Sequence, residues 1–207
     1  TVNVLIKPSP FASISVAPTL DVFRTQQQYD TAIAVAPPAA TAPRVFFGKR
    51  YLFASLAETT LSASLRLQLL FSPTLGFSLY AQPLLASAHY YNFREFDHTR
   101  QLHTTIDPYT RNAAGNYTVC PVGCGLGQES YDLGNPDFNT RSLRANAVLR
   151  WEWRRGSLLY LVWQQLREND SVFGVNGSFA LARDRAALFR SIPDDTFLVK
   201  VSYWLGR

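Results

Sequence analysis

The run Leu61-Ser62-Ala63-Ser64-Leu65-Arg66-Leu67-Gln68-Leu69-Leu70-Phe71 decides the fold. Its odd positions are Leu61, Ala63, Leu65, Leu67, Leu69 and Phe71, and its even positions are Ser62, Ser64, Arg66, Gln68 and Leu70. A period of two places alternate side chains on opposite faces of an extended chain. The run therefore predicts a strand with one greasy and one mostly polar face. After Ser72-Pro73-Thr74 the pattern resumes, with Leu75, Phe77, Leu79 and Ala81 against Gly76, Ser78, Tyr80 and Gln82. Together the two runs predict an antiparallel hairpin.

The same alternation recurs along the chain. Ala12, Ile14, Val16, Pro18, Leu20 and Val22 oppose Ser13, Ser15, Ala17, Thr19 and Asp21, and Pro18 calls for an edge or a bulge. In the most polarised run, Leu143, Ala145, Ala147, Leu149, Trp151 and Trp153 face away from Arg144, Asn146, Val148, Arg150, Glu152 and Arg154. The final run sets Phe197, Val199, Val201, Tyr203 and Leu205 against Leu198, Lys200, Ser202 and Trp204. Residues 158–166 are apolar on both faces, so their orientation stays open. Seven strand runs result, at 2–6, 11–25, 57–71, 75–91, 140–154, 158–167 and 196–205. The expected fold is all-β, an antiparallel up-and-down meander of about seven strands.

Connections alternate in length. Short turns are expected at Lys7-Pro8-Ser9-Pro10, Ser72-Pro73-Thr74 and Arg155-Gly156-Ser157, and long polar or Gly/Pro-rich connections at 26–56, 92–138 and 171–195. Outer-membrane barrels sort short periplasmic turns from long extracellular loops, whereas a soluble sandwich has no reason to do so. The polar faces then belong to a wet lumen, whose candidate lining is Arg66, Gln68, Tyr80, Gln82, Arg144, Asn146, Arg150, Glu152 and Lys200. Opposite charges such as Arg150 and Glu152 are expected to pair across neighbouring strands. Eleven residues from Leu61 to Phe71 match the roughly 9 to 11 that a tilted strand needs to cross a bilayer.

Aromatic rings gather at headgroup level in such barrels. Phe71 and Phe77 flank one short turn, Trp151 and Trp153 precede another, and Tyr203 shares their level if the chain ends on the periplasmic side. A second cluster, Tyr51, Phe53, Tyr90, Tyr91 and Phe93, is expected at the outer interface. Seven is an odd number, while single-chain bacterial barrels have an even one. The expectation is that residues 1–207 form the C-terminal part of a barrel whose missing strands lie before Thr1.

Composition agrees with this reading and excludes others. Of 207 residues 47% are hydrophobic and 14% aromatic, but only 17% are charged, against about 25% in soluble domains. No apolar stretch reaches the roughly 18 residues of a transmembrane helix. The net charge of +5 is scattered, with no basic run beyond Trp153-Arg154-Arg155, so nucleic acid is not an expected partner. There is no Met and no basic-then-apolar leader at Thr1-Val2-Asn3, so any signal peptide is expected upstream or already removed. Cys120 and Cys124 lie in a Pro/Gly-rich loop as a local disulfide or two thiols. A metal would need two more ligands, which His89, His98 and His103 are not spaced to supply. No metal or other cofactor is expected.

Several segments carry a likeness to a known family: Arg50-Tyr51-Leu52-Phe53-Ala54, Leu79-Tyr80-Ala81-Gln82-Pro83, Pro136-Asp137-Phe138-Asn139, Leu149-Arg150-Trp151-Glu152-Trp153, Val162-Trp163-Gln164-Gln165 and the run 197–204. In order, from about Gln28 to Arg207, the chain resembles the C-terminal barrel of domain-of-unknown-function family 5916. Where that family has an aromatic-Arg-Pro-Gly-Ser turn, this chain reads Trp153-Arg154-Arg155-Gly156-Ser157. The resemblance implies a bacterial outer-membrane location and a parent protein carrying an upstream family-9-type carbohydrate-binding module. It carries over no catalytic residue.

Three functions follow as expectations. The barrel is a binding or translocation pore, whose basic lumen favours anionic groups, with a charge ladder that only braces the wall as the bland alternative. It is a plain membrane anchor for an upstream module. Or it belongs to a cell-surface glycan hydrolase, with Asp97, Asp107, Glu129, Asp132 and Asp137 as candidate acid and base, although Asp is common in loops for turn-forming reasons. The 92–138 connection is the candidate for recognition or for plugging the lumen. Within 183–189 one or two helical turns are expected, with Asp184 as a local cap. Three Asn-x-Ser/Thr matches, at Asn116, Asn169 and Asn176, are incidental in this reading.

Overall fold

The computed structural model describes residues 2–34, 44–98, 104–170 and 177–205. Thr1, His103, Ser171, Asn176 and Arg207 lie outside the described residues. The strands are β1 (Val4–Ser9), β2 (Ala12–Ala34), β3 (Lys49–Ser72), β4 (Leu75–Phe96), β5 (Thr104–Ile106), β6 (Tyr109–Arg111), β7 (Tyr117–Val119), β8 (Tyr131–Gly134), β9 (Phe138–Arg154), β10 (Ser157–Asp170) and β11 (Asp194–Ser202). One helix, α1 (Leu181–Arg190), precedes β11.

The main sheet is an antiparallel meander in the order β1-β2-β3-β4-β9-β10-β11, the seven strands read from the alternation, with β5 added beside β4. Strands β6, β7 and β8 form a separate small sheet. Among the described residues the sheet is open: β1 pairs only with β2, and β11 only with β10. Ser9 opposes Ala12, Ser72 opposes Leu75 and Arg154 opposes Ser157, so the three tight turns share one end of the sheet. The connections 35–48, 97–137 and 171–193 share the other. Gly156, at φ +77°, supplies the left-handed turn residue that Arg155 could not adopt cheaply, and Trp204 packs directly over it.

Cross-strand register fixes the two faces. Leu69, Leu67, Leu65, Ala63 and Leu61 of β3 oppose Ala12, Ile14, Val16, Pro18 and Leu20 of β2. The apolar face continues through Phe77, Leu79 and Ala81, which oppose Leu149, Ala147 and Ala145. It then reaches Leu159, Leu161 and Trp163, and from there Val201, Val199 and Phe197. The ambiguous β10 is thereby oriented: Leu158, Tyr160, Val162 and Gln164 share the polar face. Pro18 sits in unbroken register with β3 at the level where β1 ends, its carbonyl accepting from the Val2 N–H. Its missing N–H falls where β2 becomes an edge.

Three strands run well past the expected boundaries: β2 has 23 residues, β3 24 and β4 22. At the loop end the sense of the alternation reverses. Leu52, Ala54 and Leu56 make the polar side of β3 greasy there, because residues 109–133 pack over it. A bulge at Asn92, at φ +50°, places two residues of β4 opposite Ala54 and turns Phe93 and Glu95 onto this same side. Phe93, Leu52, Ala54, Tyr117 and Val119 then form a buried cluster, flanked by Ile33, Tyr90, Tyr109 and Leu133.

Candidate functional site

All nine lumen candidates fall on one face of the main sheet, and register sorts them into rows. Gly76, Arg150, Tyr160 and Lys200 lie side by side across β4, β9, β10 and β11. Gln68, Ser78, Val148, Val162 and Leu198 form the next row, and Arg66, Tyr80, Asn146, Gln164 and Thr196 the one after. Gln82 then faces Arg144, and Glu152 faces Leu158 nearest the turns. The Arg66 guanidinium sits 5.2 Å from the centre of the Tyr80 ring, a cation–π contact.

Grooves open along this face. One of about 680 Å³ is lined by Lys7, Ser13, Gln68, Ser78, Arg150 and Tyr160 among others. A second, of about 280 Å³, lies over Arg66, Tyr80 and Asn146. A third, of about 400 Å³, lies over Arg144 and Gln164. The expected pairing of Arg150 with Glu152 does not form. Glu152 instead accepts from the Gly156 N–H at 3.0 Å, because the two-residue turn points that amide at its carboxylate.

Of the five aromatic residues expected near the turns, Phe77 and Trp151 stand on the apolar face at the turn end, facing Leu149 and Leu75; Phe71 and Trp153 adjoin the tight turns, and Tyr203, just past β11, accepts from Arg154 at 3.0 Å. Trp151 is 44% exposed and Phe71 62%, so neither fills a core. The second cluster splits. Tyr51, Phe53 and Tyr91 share the apolar face's side, whereas the Asn92 bulge buries Phe93 on the opposite side and Tyr90 packs beside it.

The 104–137 excursion is fastened to the polar side of the loop end by buried charges. Arg50 pairs with Glu95 at 2.6 Å and Glu129 at 2.9 Å, and Arg44 reaches Asp107 at 2.9 Å and Glu95 at 3.4 Å. Asp137 accepts from the Tyr90 N–H at 2.7 Å and from Tyr117 Oη at 3.2 Å, and lies 3.0 Å from His89 Nδ1. Phe93 meets Tyr117 at 5.0 Å and Tyr109 at 5.2 Å between ring centres. Burial and the neighbouring Glu95 push the Asp107 carboxyl up to about 6 against the pull of Arg44 and Arg50. Cys120 and Cys124 are joined as a disulfide that closes the tip of the excursion.

The carboxylates considered for acid–base chemistry are thus occupied locally. Asp107 and Glu129 hold arginines, and Tyr131 Oη also donates to Glu129. Asp97 accepts from Thr105, and Asp132 accepts from the Gly134 N–H. Among the described residues no group of three His, Cys, Asp or Glu is arranged to hold a metal ion.

Helix α1 covers the loop end of the other face. Asp184 is not its N-cap, which is Ala180. Asp184 lies inside the first turn, accepts from the Ala180 N–H at 2.8 Å and pairs with the buried Arg141 at 3.0 Å. Burial pushes its carboxyl up, yet hydrogen bonds from Arg183, Ala180 and Arg141 hold it below the usual carboxylate range. Sequence patterning gave no sign of the Arg141–Asp184 pair, since its members are 43 positions apart. No protein-family model, curated protein or solved structure matches the chain.

Proposed function

We propose that the chain is a segment of a bacterial outer-membrane β-barrel, its apolar face against lipid and its polar face toward a lumen. The observation that supports this best is the bounded height of the apolar band. On β3 it runs from Phe71 to Leu61, and beyond it come Thr59 and Ala57. On β9 it runs from Trp153 to Leu143 and ends at Arg141 under α1, and on β10 it ends at Gln165 and Arg167. On β3 and β9 ten residue steps of about 3.4 Å at a tilt near 40° give roughly 26 Å of height, against the roughly 25 Å apolar belt of such barrels, while on β10 the apolar run from Leu159 to Trp163 is shorter. A soluble sheet would bury this face beneath a second layer. Here Leu20, Val22, Phe197 and Val199 are all more than half exposed.

In this reading the tight turns and the C-terminal end of β11 are periplasmic and the long connections extracellular. Closing the open edges at β1 and β11 needs further strands, since unpaired backbone groups are costly in lipid. The role favoured is that of a membrane anchor, because the 104–137 excursion is fastened over the polar side at the outer end, where an open channel would be wide. A binding or translocation pore is the second reading, favoured by the grooves over Arg150, Arg66 and Arg144. Association with carbohydrate, through an upstream module, rests on the resemblance to family 5916 alone. A glycan hydrolase would need catalytic groups other than the five carboxylates already engaged.

Spin labels on single cysteines at positions 62 to 65, in protein folded into phospholipid vesicles, test the face assignment. Positions 63 and 65 should collide with dissolved oxygen and positions 62 and 64 with a water-soluble nickel chelate. A reversed pattern, or none, would overturn the reading.

A further inference from the structure

We propose that the turn-end half of the polar face is a binding belt for oxyanions, that is, for phosphate- or carboxylate-bearing solutes. This rests on the reading of that face as a lumen. Its first support is a segregation of charge that register alone reveals. Arg66, Arg150 and Lys200 lie in the rows nearer the turns, and Arg144 one row beyond them. Asp21, Glu58, Glu168, Asp170 and Asp194 share the same face nearer the loops, opposite Thr60, Ala88, Ser142, Thr140 and Leu166. The strand positions of this face are thus mainly basic toward the turns, Glu152 excepted, and mainly acidic toward the loops, Arg50 excepted, with Arg144 and Asp194 meeting in one row across Leu166. A bracing ladder would instead interleave the signs row by row.

The second support is the contrast in pairing. At the loop end Arg44, Arg50, Arg141 and Arg183 each hold a carboxylate within 3.4 Å. Among the described residues Arg66, Arg150 and Lys200 form no ion pair. Among the described residues the carboxylate nearest their level, Glu152, accepts from the Gly156 N–H at 3.0 Å. Arg144 reaches Glu168 only at 3.8 Å, with both side chains exposed. Unpaired cations beside a low-dielectric wall concentrate their field on whatever anion enters.

The third support is shape. The groove of about 680 Å³ lies over Arg150 and Lys7, with the Gln68 amide and the Tyr160 hydroxyl beside them as neutral donors. Gly76 leaves the Arg150 row without a side chain at β4. Tyr80 carries the Arg66 guanidinium over its ring, 5.2 Å from the ring centre. A planar fork beside amide and hydroxyl donors suits an oxyanion better than a bare halide.

The test is titration calorimetry of inorganic phosphate at fixed ionic strength, using the full-length protein folded in vesicles, with chloride as the competing anion. Phosphate should bind, and Arg66→Gln, Arg150→Gln and Lys200→Gln should each weaken it about three- to ten-fold, the range expected for one unit charge at contact distance near water. Arg155→Gln in the exposed turn and Asp170→Asn at the loop end should leave it unchanged. Folding of each variant is checked by the heat-modifiable gel mobility of the inserted barrel. Inserted protein that binds no phosphate, or binds it equally well in the three variants, overturns the belt alone. Failure to insert overturns the barrel reading on which it rests.

Discussion

Leu65 stands one residue from the middle of the apolar band on β3, between Val16 of β2 and Ala81 of β4. Its Cα is about 3 Å from the band's mid-height at 3.4 Å per residue and a 40° tilt, whereas Leu69 is about 8 Å away. An arginine at the mid-height of a lipid-facing wall costs about 2–4 kcal/mol and falls to about 0–1 kcal/mol near the interfaces. Leu65→Arg should therefore cost about 3 kcal/mol and Leu69→Arg about 1–2 kcal/mol. Ser64, the next residue, faces the other way, two residues from the native Arg66. Ser64→Arg should cost under about 1 kcal/mol, the residue being on the wet side with only like-charge repulsion to overcome. Reversible guanidinium unfolding from phospholipid vesicles measures all three. Equal costs for Leu65→Arg and Ser64→Arg, or a Leu69→Arg as costly as Leu65→Arg, would refute the reasoning.

Glu95→Gln leaves Arg50 of β3 buried without its closest carboxylate, on β4, so the loop end of these two strands should loosen by about 3–5 kcal/mol, seen as lost hydrogen-exchange protection in 50–56 and 93–96 while the turn end of the sheet stays protected. Because the Asp107 carboxyl is raised from 3.8 to about 6, the folded excursion binds a proton more tightly than the unfolded chain does. Its contribution to local stability is therefore greatest below pH 4 and falls as pH rises to about 6, and hydrogen exchange of the excursion should show that slope in the native protein and lose it in Asp107→Asn. At Gly177, φ +55°, a Cβ would lie 2.1 Å from the Ala88 carbonyl oxygen. Gly177→Ala should displace the segment leading into α1 and cost upwards of about 2 kcal/mol, read as lost exchange protection in 181–190.

The meander was legible because the turn-end part of the long strands obeys one rule, apolar one way and polar the other, from Phe71 to Leu61 and from Trp153 to Leu143. The rule fails where the environment changes. Above the band β3 turns Leu52, Ala54 and Leu56 to the formerly polar side, and that inversion reads as irregular chain when alternation is the only guide. One bulge residue, Asn92, reassigns Phe93 and Glu95 to the other face, and no periodicity marks where a bulge falls. The nine polar-face residues were found together because register preserves what alternation predicts. The fastening of the excursion was hidden, since Arg50 meets Glu129 and Arg141 meets Asp184 only after distant segments fold together. The 183–189 helix was seen from its composition, but Asp184 serves Arg141 as well as the helix start, a tertiary role that a capping rule does not contain.

Tryptophan quenching by brominated phospholipids tests the central claim most directly. Trp151, Trp153 and Trp163 all stand on the apolar face, two near the turn end and Trp163 opposite Phe197 toward the other limit of the band. In vesicles, acyl-chain bromine should quench all three strongly while aqueous acrylamide quenches them weakly. Emission that brominated lipid leaves unchanged and acrylamide abolishes would contradict the assignment of this face to the membrane.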